Sequence, residues 1–236
     1  MSASERALDG ARPSPNIWHH PTAYETENRA FDRAGVLLSV MGDIADWADR
    51  DVLDIGCGTG FHLPSFAATA SSVVGVEPHH ELRALAARRT RRLDNVSVLA
   101  GLAGELPLPP ASVDVAHARW AYFFGPGSEP GLVELDRVLR PGGTAFVIDN
   151  DPTRSTFGAW FRRGFPDVDP AAVVDFWTAR GWSRERLSLS WTFDSPDDLE
   201  SVVRIELPTA VAEDVLAGWE GGLIVPYAVN LWWRRF

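Results

Sequence analysis

The sequence predicts an α/β fold: a doubly wound, mostly parallel sheet with helices on both faces. Three observations carry this. Short apolar runs alternate with helix-like stretches, one run enters a turn with glycine at every second position, and a helix stop precedes the fifth run. Apolar runs without polar alternation are the mark of parallel strands covered by helices on both sides. The runs lie at residues 52–55, 73–76, 96–99, 113–116 and 145–148, and helical stretches at 61–70, 80–90 and 131–139 separate them. Arg140-Pro141-Gly142-Gly143 stops the last helix and turns the chain.

The flanks are less regular. Residues 1–15 are small, charged and proline-containing, and read as a disordered lead. Between Glu25 and Trp47, apolar Ala30, Phe31, Ala34, Leu37, Leu38, Met41, Ile44 and Ala45 recur at helical spacing, so one or two amphipathic helices precede the sheet. After Asp149, an aromatic stretch holds Phe157, Trp160 and Phe161, a helix spans 170–180, and 187–193 alternates like a strand. Ser195-Pro196-Asp197-Asp198 starts a helix, with a capping hydroxyl, proline at the first helical position and acids at the positive end. A strand at 224–233 ends the pattern. No repeat or long linker divides 16–236, which reads as a single domain with a cofactor half at about 51–150 and substrate-side flanks at 16–50 and 151–236.

Composition removes several chemistries. All 22 basic residues are arginine, which excludes a lysine Schiff base, a lysine nucleophile and a P-loop lysine. The lone cysteine, Cys57, excludes an internal disulfide and a thiolate metal cluster, and no metal site is expected. A net charge of -10 opposes a nucleic-acid partner, which needs a positive face. The run Arg88, Arg89, Arg91, Arg92 reads as a solvated helix face. No stretch is long and apolar enough to span a bilayer, so a cytoplasmic protein acting on a small molecule is the expectation, its oligomeric state open.

The most informative segment is Val52-Leu53-Asp54-Ile55-Gly56-Cys57-Gly58-Thr59-Gly60-Phe61. Glycines at this spacing let backbone approach a ligand closely and aim a helix N-terminus at it. The turn resembles motif I of the class I S-adenosylmethionine-dependent methyltransferases. Three further segments follow in that family's order: Val73-Val74-Gly75-Val76-Glu77-Pro78, the stretch at 96–114, and Arg137-Val138-Leu139-Arg140-Pro141-Gly142-Gly143, which is closest to the small-molecule, type 11-like branch. The resemblance covers about 51–150 and implies a Rossmann-like sheet with an antiparallel last strand, an N-terminal helical lid and S-adenosyl-L-methionine as cofactor. It implies that Asp54 and the Gly56, Cys57, Gly58 and Gly60 backbone hold the methionine part, and that Glu77, followed by Pro78, holds the ribose. Leu102 stands where the family usually carries an acid for the adenine amine, so Ala103 and apolar packing are left to hold that ring. Cys57 reads as packing rather than as a nucleophile.

Methyl transfer is an in-line displacement, so the protein supplies alignment, with a base only where the acceptor starts protonated. Histidines and carboxylates are the available bases. His117, at the end of the fourth strand, is the first catalytic candidate and a candidate cofactor contact; His20 is the second. His19 and His62 lie near the same region, and His79 and His80 read as helix caps or flanks. The Asn/Asp-Pro-Pro-Tyr/Phe signature is missing after the fourth strand, where Ala118-Arg119-Trp120-Ala121-Tyr122-Phe123-Phe124 stands. These aromatics, with Trp18, Tyr24, Phe157, Trp160 and Phe161, suit an apolar or aromatic acceptor methylated on oxygen or nitrogen. Two alternatives keep the fold: a non-methylating, cyclase-like enzyme using the cofactor as a scaffold, and a non-catalytic interaction protein.

Overall fold

The computed structural model describes residues 7–122 and 125–236. Its strands are β1 (Asp51–Ile55), β2 (Ser72–Val76), β3 (Val96–Leu99), β4 (Val113–Arg119), β5 (Leu139–Asn150), β6 (Ser183–Thr192) and β7 (Ile224–Arg235). They form one sheet in the order β3-β2-β1-β4-β5-β7-β6, reversing direction of growth at β1 and β4. β1 to β5 pair in parallel, whereas β7 is antiparallel to both β5 and β6. The expected antiparallel last strand is therefore present, and β6 is set by its pairing with it.

Alternation along the parallel strands sorts side chains to two faces. Val52, Val73, Val115 and Phe146 face one core with Phe66, Trp191 and Tyr227; Leu53, Ile55, Ala116 and Ala145 face the other with Trp177 and Trp232. Asp54 and His117 stand opposite each other in the β1–β4 register, on the first face. Phe157, Trp160 and Phe161, aromatics suited either to the core or to an apolar acceptor, belong to this core: Phe157 stacks on Tyr227 at 4.5 Å, and Trp160 meets Trp219 edge-on. Their helix has one apolar stripe, and the sheet takes it. Phe123 and Phe124 lie outside the described residues.

Three helices precede the sheet where one or two were expected: α1 (Pro15–His19), α2 (Pro21–Ala30) and α3 (Val36–Ile44). Pro21 restarts the chain after His20, and Gly35, at φ +71°, breaks it before α3. Between β1 and β5 lie α4 (Leu63–Ala67), α5 (His80–Thr90) and α6 (Glu129–Val138); between β5 and β6 are α7 (Thr156–Gly164) and α8 (Pro170–Thr178), and between β6 and β7 are α9 (Pro196–Glu206) and α10 (Thr209–Gly218). Ser195 caps α9 by accepting from the Asp198 amide at 3.1 Å, as its sequence predicts. The Arg140 to Gly143 stop is realised differently: β5 begins at Leu139, and Pro141 and Gly142 bulge out between the Val113–Leu139 and Val115–Thr144 pairs.

Residues 7–15 also differ from the expected disordered lead. Ala7 bridges to His79, the Leu8 amide donates to the Pro78 carbonyl at 3.1 Å, and the segment runs along the C-terminal edge of β2. Two backbone pairings and contact with Leu102 hold it where composition alone predicts none.

Candidate cofactor cleft and active site

The chain leaves β1 into a turn in which Gly56, Gly58 and Gly60 all have positive φ, at 68°, 56° and 76°. The Gly56 and Cys57 amides donate to the Val76 carbonyl at 2.8 and 3.1 Å, which ties the turn to β2. The three glycines divide by what faces them. A Cβ on Gly56 would sit 2.8 Å from Ala121 Cβ, and one on Gly58 2.8 Å from Ile17 Cδ1 of α1. Gly60 instead faces α5, where Ala86 Cβ would be 2.9 Å away, so it serves packing and is not a wall of the cleft.

That cleft, of about 400 Å³, opens along the C-terminal ends of β1, β2 and β4, where open parallel sheets bind ligands. Of the residues singled out from sequence, Gly56, Gly58, Glu77, Pro78, Leu102 and Ala103 line it. Glu77, at the end of β2 and 4% exposed, is held by two backbone donors: Gly58 N to Oε2 at 2.9 Å and His79 N to Oε1 at 2.8 Å. Each carboxylate oxygen keeps a second acceptor position. Burial, opposed by those two hydrogen bonds, pushes its pKa up to about 7. At the far end Leu102 touches the strap of residues around Gly10, and its backbone pairs with Glu105, a cleft-lining carboxylate that the sequence reading passed over.

Asp54, Cys57 and His117 lie beneath the turn and line a separate small cavity of about 30 Å³. His117 Nδ1 and Asp54 Oδ1 are 2.7 Å apart, both side chains nearly inaccessible. The His117 ring rests 5.2 Å from Phe66 and 5.5 Å from His62, which burial holds neutral. Cys57 is buried with its thiol pushed up by desolvation, in keeping with packing. His20 is exposed between α1 and α2 and lines neither cavity. His79 caps α5, its Nδ1 accepting from the Leu82 amide at 3.4 Å.

The helical lid is real and specifically tied. Glu25 of α2 accepts from Arg89 of α5 at 2.5 Å and from the Thr59 hydroxyl in the glycine turn. Tyr24, Arg119 and Trp120 are also among the residues that line the cleft. Trp120 has φ +53° and donates from Nε1 to Asn150 Oδ1 at 3.0 Å; Tyr227 donates to the same oxygen at 2.5 Å. A bulky residue in the left-handed region marks strain at a site. Among the described residues there is no group of three or more histidine, cysteine or acidic side chains fit for a metal, and no helix long and apolar enough to cross a membrane.

A doubly wound sheet with this topology, a glycine turn held against β2 and a carboxylate at the β2 end are similar to those of class I S-adenosylmethionine-dependent methyltransferases. Residues 53–147 match the family model described as Methyltransferase domain. The cofactor of that family is S-adenosyl-L-methionine. The residues present fit it: a turn whose Gly56 and Gly58 line the cleft, a carboxylate with free acceptor capacity, and a cleft of suitable size.

Relatives agree on the class. A Tropheryma whipplei protein named "Demethylmenaquinone methyltransferase" is 28% identical over 145 residues, covering 57% of this chain and 60% of that protein. A Mycolicibacterium smegmatis protein named "Probable S-adenosylmethionine-dependent methyltransferase" is 37% identical over 157 residues, covering 66% of this chain and 58% of that protein. The match thus spans about three fifths of the length of these relatives. The crystal structure of the YcgJ protein from Bacillus subtilis shares the fold, with a TM-score of 0.61 at 19% identity over 84% of this chain and 97% of that one.

Proposed function

We propose that this protein transfers the methyl group of S-adenosyl-L-methionine to an oxygen or nitrogen of a small apolar or aromatic molecule. The observation that carries the reading is the cleft itself, with Gly56, Gly58, Glu77, Tyr24, Trp120 and Tyr122 among its lining. The bound cofactor supplies an electrophilic methyl group on sulfur. Backbone amides of the turn and the free acceptor positions of Glu77 hold the methionine and ribose portions, and Pro78, Leu102 and Ala103 flank the adenine. The aromatic wall orients a flat acceptor and faces the sulfonium charge. The demethylmenaquinone methyltransferase relatives support a ring-bearing acceptor, and a net charge of -10 supports a small molecule over a nucleic acid.

In this reading neither His20 nor His117 is the base. His117 and Asp54 support the turn from below, and His20 has no part. The test is incubation of cell extract with the protein and methyl-labelled cofactor, followed by mass spectrometry. Label in a small molecule, with matching formation of S-adenosylhomocysteine, is the expected outcome. Absence of binding to both S-adenosylmethionine and S-adenosylhomocysteine would overturn the reading. Turnover that leaves the cofactor intact would replace methyl transfer by the scaffold reaction.

A further inference from the structure

Three buried polar atoms have no hydrogen-bond partner among the described residues and belong to side chains that line one cavity: His62 Nε2, His117 Nε2 and Arg119 Nη1. The cavity is the small one beneath the glycine turn. At about 30 Å³ it has room for one or two groups the size of a water molecule. Ile17, Tyr24, Gly56, Gly58 and Arg119 line both this cavity and the large cleft, so the small one is an annex of the large one.

Each of the three side chains is held by its other contacts. His117 and Arg119, two apart on β4, point to one face of the sheet, and His62 stands just before α4. Arg119 donates from Nη2 to Asn28, and its guanidinium lies 4.3 Å over Trp120 and 5.3 Å over Phe31, which leaves Nη1 without a partner. The His62 ring meets Phe61 at 5.2 Å and His117 at 5.5 Å, both edge-on, and burial beside the Arg119 charge keeps it neutral. His117, 1% exposed, donates from Nδ1 to Asp54 Oδ1 at 2.7 Å, which fixes its tautomer and leaves a lone pair on Nε2. The annex therefore offers two donors, one of them a cation, and one acceptor with the Asp54 anion behind it.

Leaving such atoms unpaired is costly, most of all at a charged group. A carboxylate answers Arg119 and His62 but not His117. An ammonium answers His117 but not the other two. A carboxylate and an ammonium on one carbon answer all three. We propose that the annex is a subsite for the head of an α-amino acid, with the carboxylate on Arg119 Nη1 and His62 Nε2 and the ammonium on His117 Nε2. The proposal rests on the methyl-transfer reading, in which the amino-acid end of the cofactor reaches the annex from the cleft. None of the three residues belongs to the glycine turn, and together they select the full cofactor over a nucleoside thioether without an amino acid.

The test is titration calorimetry of the full chain with two probes that share adenosine and a thioether: S-adenosylhomocysteine, which ends in an α-amino acid, and 5′-methylthioadenosine, which ends in a methyl group. The wild type is expected to bind the first at least about a hundredfold more tightly, the effect of two charge-assisted hydrogen bonds. Arg119→Leu is expected to weaken S-adenosylhomocysteine at least about tenfold while 5′-methylthioadenosine stays within twofold. His62→Phe keeps the ring packing and is expected to cost S-adenosylhomocysteine about fivefold, with the same control. An unchanged ratio of the two affinities in both variants overturns the proposal. Should Arg119→Leu not fold, the ratio in His62→Phe decides. Equal affinity of the wild type for the two probes removes the cofactor as the source of the amino-acid head. Binding of L-methionine to the chain saturated with S-adenosylhomocysteine, lost in Arg119→Leu, would then assign the subsite to a free amino acid, and no such binding overturns the proposal. Failure of the wild type to bind either nucleoside strikes the methyl-transfer reading instead.

Discussion

Glu77 couples cofactor binding to pH, and the size of the effect follows from its surroundings. Its pKa rises from 4.5 to about 7 because burial outweighs the Gly58 and His79 amides that favour the anion. At 1.36 kcal/mol per pH unit, this shift corresponds to about 3 kcal/mol. The raised value means that the folded chain holds a proton which the unfolded chain has lost between pH 4.5 and 7. Stability without cofactor is therefore greatest, as far as Glu77 is concerned, below pH 4.5 and falls as pH rises through 7. Ribose hydroxyls donate and need the anion, so binding acts in the opposite sense: it releases a proton below pH 7, and affinity rises with pH to a plateau above it. Glu77→Ala removes both ribose acceptors and leaves the Gly58 and His79 amides without their partner, a loss of about 3 kcal/mol in binding, or about a hundredfold or more. Titration calorimetry of S-adenosylhomocysteine at pH 6, in two buffers of different ionisation enthalpy, measures both quantities. Affinity in Glu77→Ala within twofold of wild type, or no proton release by the wild type, would refute this account.

Three further outcomes are expected. Gly58→Ala drives a methyl group to 2.8 Å from Ile17 at φ +56°, so it should weaken S-adenosylhomocysteine about tenfold and cost about 1–3 kcal/mol; unchanged values in calorimetry and denaturant unfolding would count against the cradle. His117→Ala should cost about 3 kcal/mol by leaving the Asp54 carboxylate buried without its partner, seen as a lower denaturation midpoint; a loss of methyl transfer at unchanged stability would restore His117 as a base. His20→Ala should leave methyl transfer and stability within about twofold and 0.5 kcal/mol of wild type, because the ring is exposed and lines no cavity; a large loss of turnover would show that it joins the acceptor site.

The cofactor half was legible because local sequence rules decide it. Strands β1 to β5, the glycine turn, Glu77 at the end of β2 and the Ser195 cap all follow from patterns within about ten residues. Gly60 and Gly56 show the limit: they are identical in sequence terms, yet Gly56 borders the cleft and Gly60 packs on α5. The same holds for Phe157 against Trp120, two aromatics of equal promise of which one turned into the core. The helical side of the cleft was not legible. Ile17, Tyr24 and Arg119 come from α1, α2 and β4, and no spacing signal joins residues so far apart in the chain. The antiparallel insertion of β7 beside β5 is likewise a long-range pairing with no local signature.

The strap at residues 7–12 is expected to bear on time rather than strength. Leu8 is pinned to Pro78, Gly10 lies on Leu102, and both partners also border the adenine end of the cleft. A ligand seated there is expected to enter and leave more slowly while that short pairing is made. Arrival and departure are slowed together, so their ratio is little altered while residence lengthens. Replacement of spent cofactor by fresh is then paced by the breaking of one backbone hydrogen bond and one bridge, and shortening the strap would quicken exchange without retuning the cleft.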